Sequence, residues 1–339
     1  MNREMTPAEQ GRNGIGHTAP PPAAAQAPAA PPARPQPPPM AMDDSILPEK
    51  PRNDLVFMVC EWIWSQLGSR MPPKGSVFEI EAKLGNIVNL DGGERIRLPV
   101  LSEAIFDRMG FPNLKTKFDT SVMTGVAHKG LNEFLNHTVM WTKQEIDRGA
   151  ARHPVHYTHT REWDEYYELT TEGRGALQHL THWMNPNHRL KVRQTFSKET
   201  QEMTAQIIKI RVADLEIYNP NDVFDYRVSI SLESPWNGPE EHLNRQTERA
   251  NDRLKDRLSY KHRDYQIDLT QISHPDGNHQ DHEVEIEINN DSFLAALDDA
   301  RAQRSDRYEK CISGFVDNIR ILAGHATHAV QARPPPPGM

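Results

Sequence analysis

Two stretches far apart in the chain carry the same unusual pattern. Phe78-Glu79-Ile80-Glu81-Ala82-Lys83-Leu84 and Glu283-Val284-Glu285-Ile286-Glu287-Ile288 alternate charged and apolar residues without a break. Side chains of a strand point to opposite faces with a period of two. Glu79, Glu81 and Lys83 therefore share one face, and Phe78, Ile80, Ala82 and Leu84 the other. Glu283, Glu285 and Glu287 likewise stand opposite Val284, Ile286 and Ile288. Like charges crowded on a strand face repel, so two such strands must find cations to set against them.

Five further segments have the same design with other charges. Arg189–Thr195 alternates basic with apolar residues, Arg253–Leu258 places Arg253, Lys255 and Arg257 on one face, and Ile208–Val212 places Lys209 and Arg211 on one face. Tyr226–Glu233 aligns Arg227, Ser229, Ser231 and Glu233, and Tyr265–Thr270 aligns Gln266, Asp268 and Thr270. An open antiparallel sheet with one wet face would also alternate, but ordinary solvent faces intersperse the two signs. Here the signs are segregated by strand. Closing the strands with their charged faces inward sets acids opposite bases and leaves the apolar faces outward for helices to cover. The expected class is α+β: a closed antiparallel β-barrel of about eight strands, wide enough to enclose a small ligand, forming a hydrophilic tunnel jacketed by α-helices.

Helical patterns lie where the jacket needs them. Residues 53–68 repeat apolar positions at helical spacing behind an Asn53 cap, and 124–143 carry a stripe from Val126 to Val139. Ser102–Met109 reads as a short capped helix, and 291–323 as one long helix capped by Asn290 or Asp291. Of 27 prolines, 12 fall in residues 1–50 and four in Pro334–Pro337. Segments so rich in Pro and Ala bury too little surface to offset the entropy of ordering. Residues 1–50 and 326–339 are therefore expected to be disordered tails around a catalytic domain at 51–325. A net charge of −8 confines any nucleic-acid contact to a local basic cluster. Cys60 and Cys311 read as buried thiols without zinc-type spacing. No stretch is long and apolar enough to span a bilayer and no signal-peptide core is present, which reads as a soluble intracellular chain without a membrane partner.

Several carboxylates in a partly dehydrated cavity need protons or a cation to compensate them. An all-oxygen set without His or Cys suits a hard divalent ion, Mg²⁺ or Mn²⁺. The opposing Arg and Lys suit phosphate oxygens. A metal-dependent hydrolase of a triphosphate joins these features, with a further carboxylate acting on water.

Glu79-Ile80-Glu81-Ala82-Lys83 paired with Glu283-Val284-Glu285-Ile286-Glu287 resembles the acidic motifs of the triphosphate tunnel metalloenzymes. The longer match, through Lys209–Leu215, Arg227–Ile230, Arg253–Tyr260 and Asp268–Thr270, is to their fungal-type RNA 5′-triphosphatase branch, the mRNA capping enzyme β subunit. The resemblance implies that Glu79, Glu81 and Glu287 bind metal, and that Arg193, Lys209, Lys255 and Arg257 contact the γ-phosphate. It also implies that Glu233 and Glu285 act on the attacking water, and that Arg253, Asp268, Thr270 and Glu283 support the network. Arg189 and Lys191 share the face of Arg193, so a two-residue slip would exchange them; Lys83 reads equally as charge partner or substrate contact. Implied with the family are hydrolysis of 5′-triphosphate RNA as the first step of cap formation, a nuclear setting, a guanylyltransferase partner (the α subunit) and a homodimer. Some relatives dock that partner through a Trp-containing segment, and this sequence has no Trp before Trp62. The same fold would also serve a phosphohydrolase of free nucleotide, polyphosphate or thiamine triphosphate, or a non-catalytic polyphosphate-binding module.

Overall fold

The computed structural model describes residues 51–332 apart from 108–109, 111–113, 185–188, 246–251, 276 and 278–279. Of the tails expected at 1–50 and 326–339, residues 1–50 and 333–339 lie outside the described residues. Eleven strands follow in chain order: β1 (Val77–Asn89), β2 (Ala104–Ile105), β3 (Thr116–Asp119), β4 (His156–Leu169), β5 (Lys191–Ser197), β6 (Met203–Tyr218), β7 (Asp225–Pro235), β8 (Leu243–Arg245), β9 (Arg253–His262), β10 (Tyr265–Ser273) and β11 (Gln280–Ile288). The α-helices are α1 (Asp54–Leu67), α2 (Gly125–Asp147), α3 (Thr171–Gly175), α4 (Asn290–Arg301) and α5 (Arg307–Gln331).

Eight of the strands close a barrel in the order β11-β10-β9-β4-β5-β6-β7-β1, and β1 pairs back onto β11. Every pairing around the ring is antiparallel. Closure sets Glu81 opposite Glu287 and Lys83 opposite Glu285, and on the other side of β1 sets Glu81 opposite Ser229. The short strands are appendages: β3 extends β1, β2 pairs β6, and β8 pairs the end of β4.

The barrel is inside out, as the alternation requires. Phe78, Ile80, Ala82 and Leu84 of β1 are buried on its outer face, together with Val284, Ile286 and Ile288 of β11. Val56, Val59, Ile63 and Leu67 of α1 join them, as do Ile312, Phe315, Val316 and Ile319 of α5. Burying each large side chain of this kind contributes about 1.5–3 kcal/mol, so the jacket is the main core. Tyr308 ties α5 to α1 by donating its hydroxyl to the Cys60 carbonyl at 2.8 Å. Tyr265 of β10 donates to the Cys311 carbonyl at 2.9 Å. Both cysteines are buried thiols, as expected. Arg95 clamps Asp225 at the end of the barrel where β1 finishes, with Nη2–Oδ1 at 2.5 Å and Nε–Oδ2 at 3.1 Å. Ile87, Phe106 and Tyr218 form a small core there. Among the described residues no helix is long and apolar enough to cross a membrane.

Five local expectations are corrected. The helix expected at Ser102–Met109 is the strand β2 in its described part: Ala104 and Ile105 pair with Tyr218 and Ile217, and Phe106 packs into the small core. The long helix at 291–323 is two helices, α4 and α5, and the cap of α4 is Asn289, which accepts from the Ser292 amide. Gln303 breaks the run at φ 54°, and Asp299 holds the turn by accepting from Arg304 Nε and from the Ser305 hydroxyl. The domain boundary drawn at 325 falls inside α5, where Ala326 and Thr327 are buried. The strand at Arg189–Thr195 begins at Lys191 and runs to Ser197, and α2 runs on to Asp147.

Candidate active site

Strand direction fixes the order of side chains along the tunnel. The end where β1 begins is here called proximal. From it, β1 presents Glu79, Glu81 and Lys83, while antiparallel β11 presents Glu287, Glu285 and Glu283. On β7 the order is Glu233, Ser231, Ser229, and on β6 it is Ile207, Lys209, Arg211. On β5 it is Thr195, Arg193, Lys191, and on β9 it is Arg257, Lys255, Arg253. Every site residue named from the sequence except Asp268 lines one cavity of about 620 Å³. Asp268 is fully buried against Arg257, its carboxylate 3.2 Å from Nη1.

Glu79, Glu81 and Glu287 each offer an oxygen within 4.8 Å of the others; Asp268, Glu285 and Glu287 do the same. Burial, reinforced by Glu81 and Glu233, lifts the Glu79 carboxyl to about 7 against the pull of Lys209. Burial and the neighbours Glu285 and Glu79 hold Glu287 well above the usual carboxylate range. Burial acts on Glu81 as well, but Lys83 and Lys209 outweigh it and bring that carboxyl to about 2. Glu285 is held low in the same way by Lys83 and Arg257. The proximal layer thus has more carboxylate than its cations neutralise. Glu79 Oε2 and Glu81 Oε1 are buried and accept no well-directed hydrogen bond, although Lys209 and Arg211 lie beside them. A surplus of buried oxygens without nitrogen or sulfur donors fits a hard divalent cation.

The basic wall is held in place by acids. Lys83 sits 2.6 Å from Glu285, 3.1 Å from Glu283 and 3.8 Å from Glu81, which makes it a charge partner of the glutamates. Lys209 lies against Glu79 and 3.3 Å from Glu81. Arg193 points into the tunnel with Nη2 3.5 Å from Glu233, and Arg189 and Lys191 line the same cavity. Arg257 reaches Asp268 and, at 3.6 Å, Glu285. Thr270 lines the wall between them.

The reading of the sequence missed β4. Asp164 of β4 has no exposure; it accepts from the Thr195 hydroxyl at 2.7 Å and from Arg253 at 2.8 Å, and lies 3.0 Å from Lys255. Glu162 lies 3.0 Å from Lys255 on its other side, and Tyr166 lines the cavity. The outer face of β4 is exposed over its first half, so no apolar alternation marked it. The signal that remained was Glu162, Asp164 and Tyr166 two apart, interleaved with Trp163 and Tyr167.

A sequence model described as mRNA capping enzyme, beta chain, matches residues 49–328. The mRNA-capping enzyme subunit beta of Schizosaccharomyces pombe is 36% identical over 251 residues, 72% of this chain and 73% of that protein. The subunit of the same name from Candida glabrata is 28% identical over 291 residues, covering 83% of this chain and 44% of its own length. Among solved structures, the S. pombe Pct1 RNA triphosphatase in complex with the Spt5 CTD superposes with a TM-score of 0.69 at 30% identity, covering 84% of this chain and 98% of that one.

Proposed function

The chain belongs to the mRNA capping enzyme β-chain family and is an RNA 5′-triphosphatase, and we propose that Glu79, Glu81 and Glu287 are its metal ligands. The reaction removes the γ-phosphate from 5′-triphosphate ends of nascent mRNA, the first step of cap formation. The observation that carries the site assignment is the convergence of three glutamate oxygens within 4.8 Å in a tunnel whose opposite wall is Arg and Lys. Mg²⁺ or Mn²⁺ bound there supplies positive charge to the γ-phosphate oxygens.

The chain's own residues do the rest. Arg193, Lys255, Arg257 and Lys209 receive the γ-phosphate, and Arg193 exchanges its contact with Glu233 for phosphate oxygens. Asp164 holds Lys255 and Asp268 holds Arg257 before substrate arrives, so little reorganisation of these two donors opposes the transition state. Lys83 and Arg257 keep Glu285 ionised well below neutral pH, so it orients water by accepting its hydrogen bond. Glu233, freed from Arg193, takes the proton. Arg253, Asp268, Glu283 and Thr270 position these groups: Arg253 braces Asp164, Asp268 braces Arg257, and Glu283 braces Lys83.

The test is phosphate release from a 5′-triphosphate RNA with and without Mg²⁺ or Mn²⁺. Glu79→Ala and Glu287→Ala should each lose at least about 100-fold in rate, the upper range seen even for indirect metal-site changes, while keeping a cooperative melt. Full activity in either variant removes the ligand assignment.

Work on nascent transcripts sets the enzyme in the nucleus beside the guanylyltransferase that caps the diphosphate end. The S. pombe relative has been solved with the Spt5 CTD, which supports a peptide of that kind as a further partner here. A homodimer rests on the family resemblance alone.

A further inference from the structure

The two ends of the tunnel differ in charge. The proximal layer holds Glu79, Glu287 and Glu233 with Arg257, whereas the distal layer holds Lys83, Arg211, Lys191 and Arg253 with Glu283. Nearly all of the cavity's cations are already matched to carboxylates. Among the described residues the exceptions are Lys191 and Arg189, which line the cavity yet pair with no carboxylate. Lys191 follows Arg193 toward the distal end at the next same-face position, about 6.6 Å further along the strand, and Arg189 lines the same cavity just before the strand begins. Lys191 is half-buried inside the barrel and Arg189 is exposed at its rim.

A smaller cavity of about 200 Å³ adjoins the proximal end. Its wall includes Glu79, Glu233 and Glu287, with Lys261 as its basic residue. A polyanion threaded that way would pass a ring of carboxylates before meeting the basic wall. From the distal side it meets unmatched cations first. We propose that the RNA enters through the distal mouth, with Lys191 contacting its α-phosphate and Arg189 its first phosphodiester. These two side chains then give RNA ends an advantage over short polyphosphates, which reach only the inner wall. The assignment rests on the triphosphatase reading above.

The experiment uses the full chain with Mn²⁺ and measures kcat/KM for a 5′-triphosphate RNA oligonucleotide and for inorganic tripolyphosphate. It compares wild type, Arg189→Ala/Lys191→Ala, and Lys261→Ala. The double variant should lower the RNA-to-tripolyphosphate ratio by about 10-fold, as expected for two lost charge-assisted phosphate contacts. The salt dependence for RNA should also become shallower, by roughly 0.7 in log–log slope per lost contact. An unchanged ratio and slope in the double variant overturns the assignment, as does a fall of the ratio in Lys261→Ala instead. Wild-type protein that cleaves tripolyphosphate but not triphosphate RNA overturns the underlying reading, and that outcome is visible before any variant is made.

Discussion

Asp164 bears on two cations at once, Arg253 at 2.8 Å and Lys255 at 3.0 Å, and has no access to water. Burial alone would raise its carboxyl; Lys255 and Arg253 outweigh that and hold it below the usual range. Asp164→Ala leaves both cations without this counter-charge. Breaking a buried pair costs roughly 3–5 kcal/mol, and the lower figure applies where one partner still meets the tunnel interior. The melting temperature and the phosphate-release rate should both fall in Asp164→Ala, and Asp164→Asn should recover part of the stability. His128 carries a second residue-scale prediction. Its ring is buried in α2 with Nε2 unpartnered, 4.9 Å from the His282 ring centroid. Burial, then the His282 neighbour, lowers it from 6.5 to about 4. The unfolded chain therefore takes up a proton near pH 6.5 while the folded chain does not. The stability this contributes is complete above that pH and is lost as pH falls toward 4. Melting curves at pH 7.5 and 5.5 should show a smaller loss in His128→Leu than in wild type. The acidic glutamates were legible in the sequence because their partners on the other face are apolar. Asp164 was not, because the first half of β4 is exposed and the strand carries no regular apolar face, and His128 left no mark because one histidine in a helix has many uses.

Helix α2 lies on α5 where Gly130 faces Ala329 so closely that an added Cβ would collide with the Ala329 methyl. Gly130→Leu should force the helices apart and cost about 1–3 kcal/mol, as overpacking of a tight contact does. Thermal melting measures it, and an unchanged midpoint would show that the helices separate freely. The elements themselves were readable to different degrees. Helix α1 and its Asn53 cap follow from spacing and from a side chain that accepts the Val56 amide. The break between α4 and α5 does not, since Ala302–Asp306 contains neither Gly nor Pro and the turn depends on Asp299 reaching forward to Arg304 and Ser305. Strand β2 is set by pairing with β6, a tertiary effect that outweighs the local helical preference of Ser102–Met109.

At the scale of the whole molecule, the barrel could be inferred because sign segregation between strands has few closed solutions, whereas the order of the strands, with β4 between β9 and β5, is seen only in the structure. Bound ligand should stabilise the whole assembly. At a hundredfold excess over Kd, Mn²⁺ with tripolyphosphate should add about 2.7 kcal/mol and raise the melting temperature by several degrees. Glu287→Ala should lose the Mn²⁺-dependent part of that rise. The closing seam has one more consequence. β1 is made early and β11 late, yet the proposed ligand set needs Glu81 opposite Glu287. A ribosome that has not yet read the codons for β11 carries an inert polypeptide, and phosphatase activity switches on only when that last ribbon zips home.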